Sequence, residues 1–211
     1  ADQDPEQLAI AWKLAHAGVE VLAPVLTDRK NTWSGNPRFR FTNQSHREFI
    51  YRMAYPVGRH IIGYEVQKAL AAVDWFAQQT KAPIGIWGFG EGGLLALYAA
   101  ALDVRVDAAV VSGYFTSRQD LWQEPIYRNV WGLLKDFGDA EIAALASPRR
   151  ILVETAAGPE GKEPSEADPE RRGGAPGELR SPRAEQARAE AARARVLGAW
   201  ISVHADAANP F

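Results

Sequence analysis

The stretch "PIGIWGFGEGGLLALYAA", residues 83–100, decides how the rest of the chain is read. It runs from apolar residues through a glycine-rich turn into helix formers, so it predicts a strand over 83–87, a tight turn, and a helix over 91–102. Gly88-Phe89-Gly90-Glu91-Gly92-Gly93 satisfies G-x-G-x-x-G in the strand-turn-helix context of a dinucleotide cradle. A further condition of that cradle fails. It needs an acidic residue about 20 positions on, at the end of the next strand, to hold the ribose hydroxyls, whereas "AAVVSGYF" ends in Ser112, Gly113, Tyr114 and Phe115. Nucleotide binding is therefore the weakest of three readings. The others are a nucleophile elbow, G-x-S-x-G, and a glycine turn that serves only close strand-to-helix packing; these two can hold together.

Working outward, "VEVLAPVL" (19–26) is apolar on both faces apart from Glu20 and predicts a buried strand, after a helix over 5–17 that Gly18 would stop. Residues 27–49 are polar and turn-rich and are expected to form a long excursion at that strand's end. Ile62, Val66, Leu70, Val73 and Phe76 recur at threes and fours, the stripe of a helix over about 57–79. Strand 106–112, helical stretches between 119 and 146, strand 151–155, helix 182–196 and strand 199–204 follow. Strands alternating with helices predict an α/β fold: a mostly parallel sheet, here of five strands, with helices on both faces in a three-layer sandwich. Residues 158–182 are rich in Pro, Gly, Glu and Arg and are expected to be a flexible surface insertion in a single domain over 1–211.

Composition narrows the function. The 211 residues are 46% hydrophobic with seven Trp and eight Phe, enough to bury a core. A net charge of −2 with interspersed Arg and Glu lacks the basic footprint of a nucleic-acid binder. There is no cysteine, which excludes disulfides and thiolate metal sites. No apolar run reaches the roughly 18 residues that a membrane span needs. The N-terminus lacks the basic start of a signal peptide, so the compartment stays open, export after removal of an upstream signal included.

In the elbow frame Gly88 and Gly92 take the outer positions, and the central residue is Gly90, which has no side chain to attack a carbonyl. Glu91 follows at the helix start, where the helix dipole stabilises its charge and makes it less nucleophilic. The order of elements, together with "GFGEGGLLALYAAALD", "VDAAVVSGYF", "SPRRILVE" and "HREFIYRMAYPVGRHIIGYEVQKALAAVDWF", resembles the α/β-hydrolase superfamily, in particular bacterial members of its dienelactone hydrolase and acetyl xylan esterase-like branch. The resemblance covers most of the chain. It implies an α/β-hydrolase fold whose first strands are expected upstream of residue 1, and ester hydrolysis by a Ser, acid and His triad without a cofactor. The triad-equivalent positions are Gly90, Glu154 or Glu160 after "ILVETA", and Asn209, with Phe211 at the Phe of Gly-His-x-Phe. The resemblance thus points to a carbohydrate-ester or other small-molecule ligand and to other segments of a longer polypeptide as partners, with the chemistry decayed. The alternative is an active hydrolase that uses non-standard residues.

His204 lies inside a predicted strand and is read as structural, while His46 and His60 lie upstream of the elbow. With His16 they show no metal-ligand spacing, and no metal is expected. Candidates for a pocket wall are Phe89, Glu91, Tyr114, Phe115, Trp33 and Arg38, each with surface or lid packing as its plain alternative. Trp122, Tyr127 and Trp131, near helical spacing, are read as a helix packed on the core or, less favoured, a carbohydrate-stacking face. Ser112 could stand as a displaced nucleophile, but no histidine is placed in sequence to activate it.

Overall fold

The computed structural model describes residues 5–32, 38, 42–158, 160–163 and 173–205. Helix α1 (Pro5–His16) leads into a run without regular structure, and α2 (His46–Ala54) begins where the Ser45 hydroxyl accepts the Glu48 N–H. Helix α3 (Ile61–Gln79) starts at His60, whose Nδ1 accepts the Ile62 N–H while its Nε2 donates to the Asn129 carbonyl. That pattern requires the neutral imidazole, and burial holds the pKa of His60 below its ordinary value.

Strand β1 (Ile84–Phe89), α4 (Glu91–Leu102) and β2 (Val106–Ser112) follow as the sequence predicts, then α5 (Leu133–Asp136), α6 (Asp139–Leu145) and β3 (Arg150–Glu154). A short ribbon of β4 (Gly161–Glu163) and β5 (Gly177–Leu179), α7 (Ala184–Val196) and β6 (Trp200–His204) complete the described chain. The main sheet has the order β1-β2-β3-β6 and every pairing in it is parallel.

The core lies against one face of this sheet. Ala109, Val111, Ile151, Val153 and Ile201 pack with Leu94 and Leu97 of α4 and with the small residues Ala140, Ala143, Ala187 and Ala191 of α6 and α7. Helix α4 buries most of its circumference, which is why "GGLLALYAAAL" is apolar all round. Along the other face Ala108, Arg150, Trp200 and Ser202 are exposed, and the Arg150 guanidinium lies over the Trp200 ring at 4.9 Å.

The structure departs from the sequence expectation in several places. Residues 19–26 form no strand: they have no regular structure and are exposed up to Val25, and the end of the run is fastened to α3, where Thr27 N–H donates to Glu65 Oε1 at 2.8 Å. An apolar β-branched run becomes a strand only beside another strand, and none lies beside it among the described residues. The polar excursion contains the start of α2. The helix read across 120–134 is two 3₁₀ turns, Leu121–Gln123 and Ile126–Arg128, separated by Pro125 and ended before Gly132; Trp122 and Trp131 are each 77% exposed, and only Tyr127 enters the core. Within the stretch expected as a surface insertion, the described residues 175–179 touch other parts of the chain. A Cβ at Gly177 would lie 2.5 Å from Pro125 Cα, Leu179 is buried, and Ala175 N–H donates to both oxygens of Glu48 at 2.9 and 3.0 Å.

Candidate site at the glycine turn

Gly90 joins β1 to α4 with φ 55° and ψ −114°, a conformation that costs a side-chain-bearing residue strain. Its N–H donates to the Ser112 carbonyl at 2.8 Å, which ties the turn to the end of β2. The flanking glycines are needed sterically. A Cβ at Gly88 would stand 1.9 Å from the Gly92 carbonyl oxygen, and one at Gly93 would stand 2.9 Å from the Ser112 carbonyl oxygen. The turn therefore brings strand and helix closer than any other residues would permit. The first bonds of α4 run from the Gly93 and Leu94 N–H groups to the Gly90 carbonyl at 3.0 and 3.3 Å, so the Glu91 and Gly92 N–H groups precede the helical ladder.

Glu91 is held by three arginines. Its carboxylate accepts from Arg128 Nε at 3.0 Å, Arg47 Nη2 at 3.1 Å and Arg29 Nη2 at 3.3 Å. Burial pushes its carboxyl up, but Arg128, Arg47, Arg29 and Arg118 together outweigh that and hold it below the usual carboxylate range. Arg47 also forks onto Glu65 at 2.7 and 3.0 Å and lies over the Tyr127 ring. Arg118 and Arg128 both reach Glu124. The sequence reading of Glu91 as a helix-start residue missed this network. Glu65 was its one visible signal, a carboxylate in register with the apolar stripe of α3.

The loop after β2 forms the opposite wall. Gly113 (φ 59°), Phe115 (φ 134°) and Arg118 (φ 61°) all adopt positive φ within six residues, strain of the kind that accumulates at functional sites. Asp139 pins this loop by accepting from Tyr114 Oη at 2.9 Å and Thr116 N at 3.2 Å. Its carboxyl is raised to about 6 by burial, against the opposing pull of Arg118 and the two hydrogen bonds. The resulting cleft is lined by Arg29, Glu91, Tyr114, Arg118, Glu124 and Arg128, with Leu179 and Pro182 at its lip. Its interior is about 20 Å³, room for a water or two and too small for a sugar unless side chains move.

Of the sequence candidates, Glu91 and Tyr114 line this cleft with Gly90. Phe115 is fully buried and belongs to the core. Phe89 is half-buried with its ring against Gly113, and Arg38 is exposed; neither lines the cleft. Glu160 is exposed and accepts from Ser181 N–H. Trp33 and Asn209 lie outside the described residues. Among the described residues no group of three or more His, Asp or Glu is placed to hold a metal ion, and no helix is long and apolar enough to cross a membrane.

A second set of groups becomes visible only through the strand register. Phe89, Ser112, Glu154 and His204 pair in sequence across β1, β2, β3 and β6, so they form one row at the C-terminal ends of the strands. Ser112 Oγ and Glu154 Oε2 are buried without a hydrogen-bond partner among the described residues. His204, at the end of the row, is exposed.

A parallel sheet with the glycine turn at its C-terminal rim, entering a buried helix, is the architecture of the α/β hydrolases. The chain belongs to the dienelactone hydrolase family, whose model matches residues 4–127. Similar solved structures include a candidate acetyl xylan esterase from Bacteroides fragilis, at 16% identity and a TM-score of 0.49, covering 77% of this chain and 40% of that one. A glucuronoyl esterase from Solibacter usitatus is 16% identical with a TM-score of 0.43, covering 70% of this chain and 44% of that one. A promiscuous CE15 esterase from a marine bacterial metagenome is 17% identical with a TM-score of 0.46, covering 71% and 44%. The chain thus spans less than half the length of these structures. No curated protein matches it.

Proposed function

We propose that this chain is an esterase-like domain that binds a ligand at the elbow without cleaving it. Position 90, at the apex of the turn, is a glycine that holds the strained elbow backbone and presents no hydroxyl, and this carries the reading. What remains is a helix N-terminus and a charged cleft suited to a carbonyl or carboxylate oxygen, with a carbohydrate ester as the ligand class that the family suggests. On this reading the domain works within a longer polypeptide, binding or scaffolding. Losing the nucleophile alone lowers rates roughly 10⁴- to 10⁶-fold in such enzymes. Incubation with p-nitrophenyl acetate should therefore give no hydrolysis above the blank, and a fluorophosphonate probe should leave the protein unlabelled. Turnover or covalent labelling overturns the proposal.

One observation favours the second reading, an active hydrolase with non-standard residues: the row that sets Glu154 between Ser112 and His204. Adjacent strands lie about 4.8 Å apart, so His204 cannot reach Ser112 directly, and Glu154 would have to take the serine proton. Ser112 is fully buried, which weighs against it. Labelling that disappears in Ser112→Ala would establish this reading in place of the first.

A further inference from the structure

Arg118 is 5% exposed, yet one edge of its guanidinium has nothing to donate to. Nη1 serves both oxygens of Glu124 at 2.6 and 2.8 Å, while Nε and Nη2 meet no acceptor among the described residues. Both keep accessible surface, unlike Arg47 Nε, which is sealed off without a partner, and the space that Arg118 lines is the cleft at the glycine turn. Arg128, 6% exposed, is arranged alike: Nε donates to Glu91 and Nη1 to Glu124, and Nη2 is left over.

The Nε and Nη2 hydrogens of an arginine point the same way in one plane, and this is an edge that a carboxylate can meet with both oxygens. On Arg118 that edge is free and its position is fixed. The guanidinium lies over the Tyr114 ring at 5.3 Å, with Arg128 over the same ring at 5.5 Å. Tyr114 is in turn bound to Asp139, and the Arg118 backbone is held at φ 61°. Burying donors without an acceptor is destabilising, and here a strained loop holds them in place, as in a receptor whose acceptor comes from a ligand.

The space selects among acceptors. At about 20 Å³ the cleft takes a pair of water-sized atoms, which matches the two oxygens of a carboxylate and excludes a tetrahedral phosphate with four. Leu179 and Pro182 at the lip offer apolar contact to the carbon that follows.

We propose that the cleft binds the carboxylate of a short aliphatic acid, its two oxygens on the Nε and Nη2 edge of Arg118 and one of them shared with Arg128 Nη2. This rests on the reading that the elbow binds without cleaving, and it makes the ligand a free acid in place of an ester.

At constant ionic strength, with sodium chloride as the balance, sodium acetate and propionate should raise the Tm of the whole chain and show saturation transfer to their methyl protons, and methyl acetate should do neither. Arg118→Lys, which keeps the charge and loses the planar edge, should weaken acetate binding about tenfold or more. If that variant does not fold, the ligand series on the parent chain decides alone. Acetate acting no differently from chloride, methyl acetate binding as tightly as acetate, phosphate binding more tightly than acetate, or Arg118→Lys binding acetate as the parent does would each overturn the proposal. Ester turnover by the parent chain would overturn the non-cleaving reading without altering these binding results, so the two can fail separately.

Discussion

Arg47 and Glu91 meet at 3.1 Å with both side chains buried, 2% and 6% exposed. Each has further partners, so the two form the centre of a closed charge network beneath the glycine turn. Removing one member of a buried pair leaves the other charge stranded, at a cost of about 3–5 kcal/mol. Glu91→Ala should lower unfolding stability in urea by that amount. The folded pKa of Glu91 lies below its unfolded value, so its contribution is present above the unfolded pKa and is lost as pH falls through the folded one. The mutant should therefore lose less stability than the parent when acidified below pH 4 or so.

Asp139 has the opposite sign. Its folded pKa is raised to about 6 from 3.8, so between those values the folded state holds a proton that the unfolded state has released. Through this group stability rises as pH drops from above 6 towards 4, by an amount on the order of 3 kcal/mol. Asp139→Asn should remove that slope from denaturation midpoints measured across the interval. An unchanged slope would assign the pH dependence to another group.

Gly90→Ser would place a hydroxyl at the apex in a backbone region that costs non-glycine residues about 1–3 kcal/mol. The expected outcome is a folded protein with a lower Tm and, on the proposed binding reading, no ester turnover, since that reading puts Asn209 where the family's base would stand. A gain of hydrolysis would show that a base is already in place.

Gly177→Ala tests the docking of the short ribbon. Its added methyl would meet Pro125 backbone at 2.5 Å, so the ribbon must shift away. Hydrogen exchange at Ala175 should accelerate with little change in global stability. Unaltered protection there would mean that the contact is not what seats the ribbon.

The part of the fold legible in sequence is the part decided locally. The turn at 88–93, the strands on either side of α4 and the stripe of α3 are written in short-range patterns, and each lies where those patterns put it. The run 19–26 was misread because its apolar pattern gives its propensity but not its neighbour. Pro125 and Gly132 interrupt the helix read across Trp122 and Trp131, and local punctuation there outweighs aromatic spacing. At the site, Glu91 and Tyr114 were named from their distance to the turn. The arginines that hold Glu91 come from positions 29, 47 and 128, and no local pattern announces such a convergence. The row through Ser112, Glu154 and His204 was equally hidden, because it exists only once the register of four strands is fixed.

The bond from Ala175 N–H to Glu48 joins positions 127 apart in sequence. Contacts of such long range form after local ones, because the chain must first surrender the entropy of closing a large loop. The lip of the cleft, Leu179 and Pro182, follows shortly after this clasp. The mouth of the site should accordingly be the last piece to assemble during folding and the first to come loose under mild denaturant, opening the charged interior while the strands behind it remain intact.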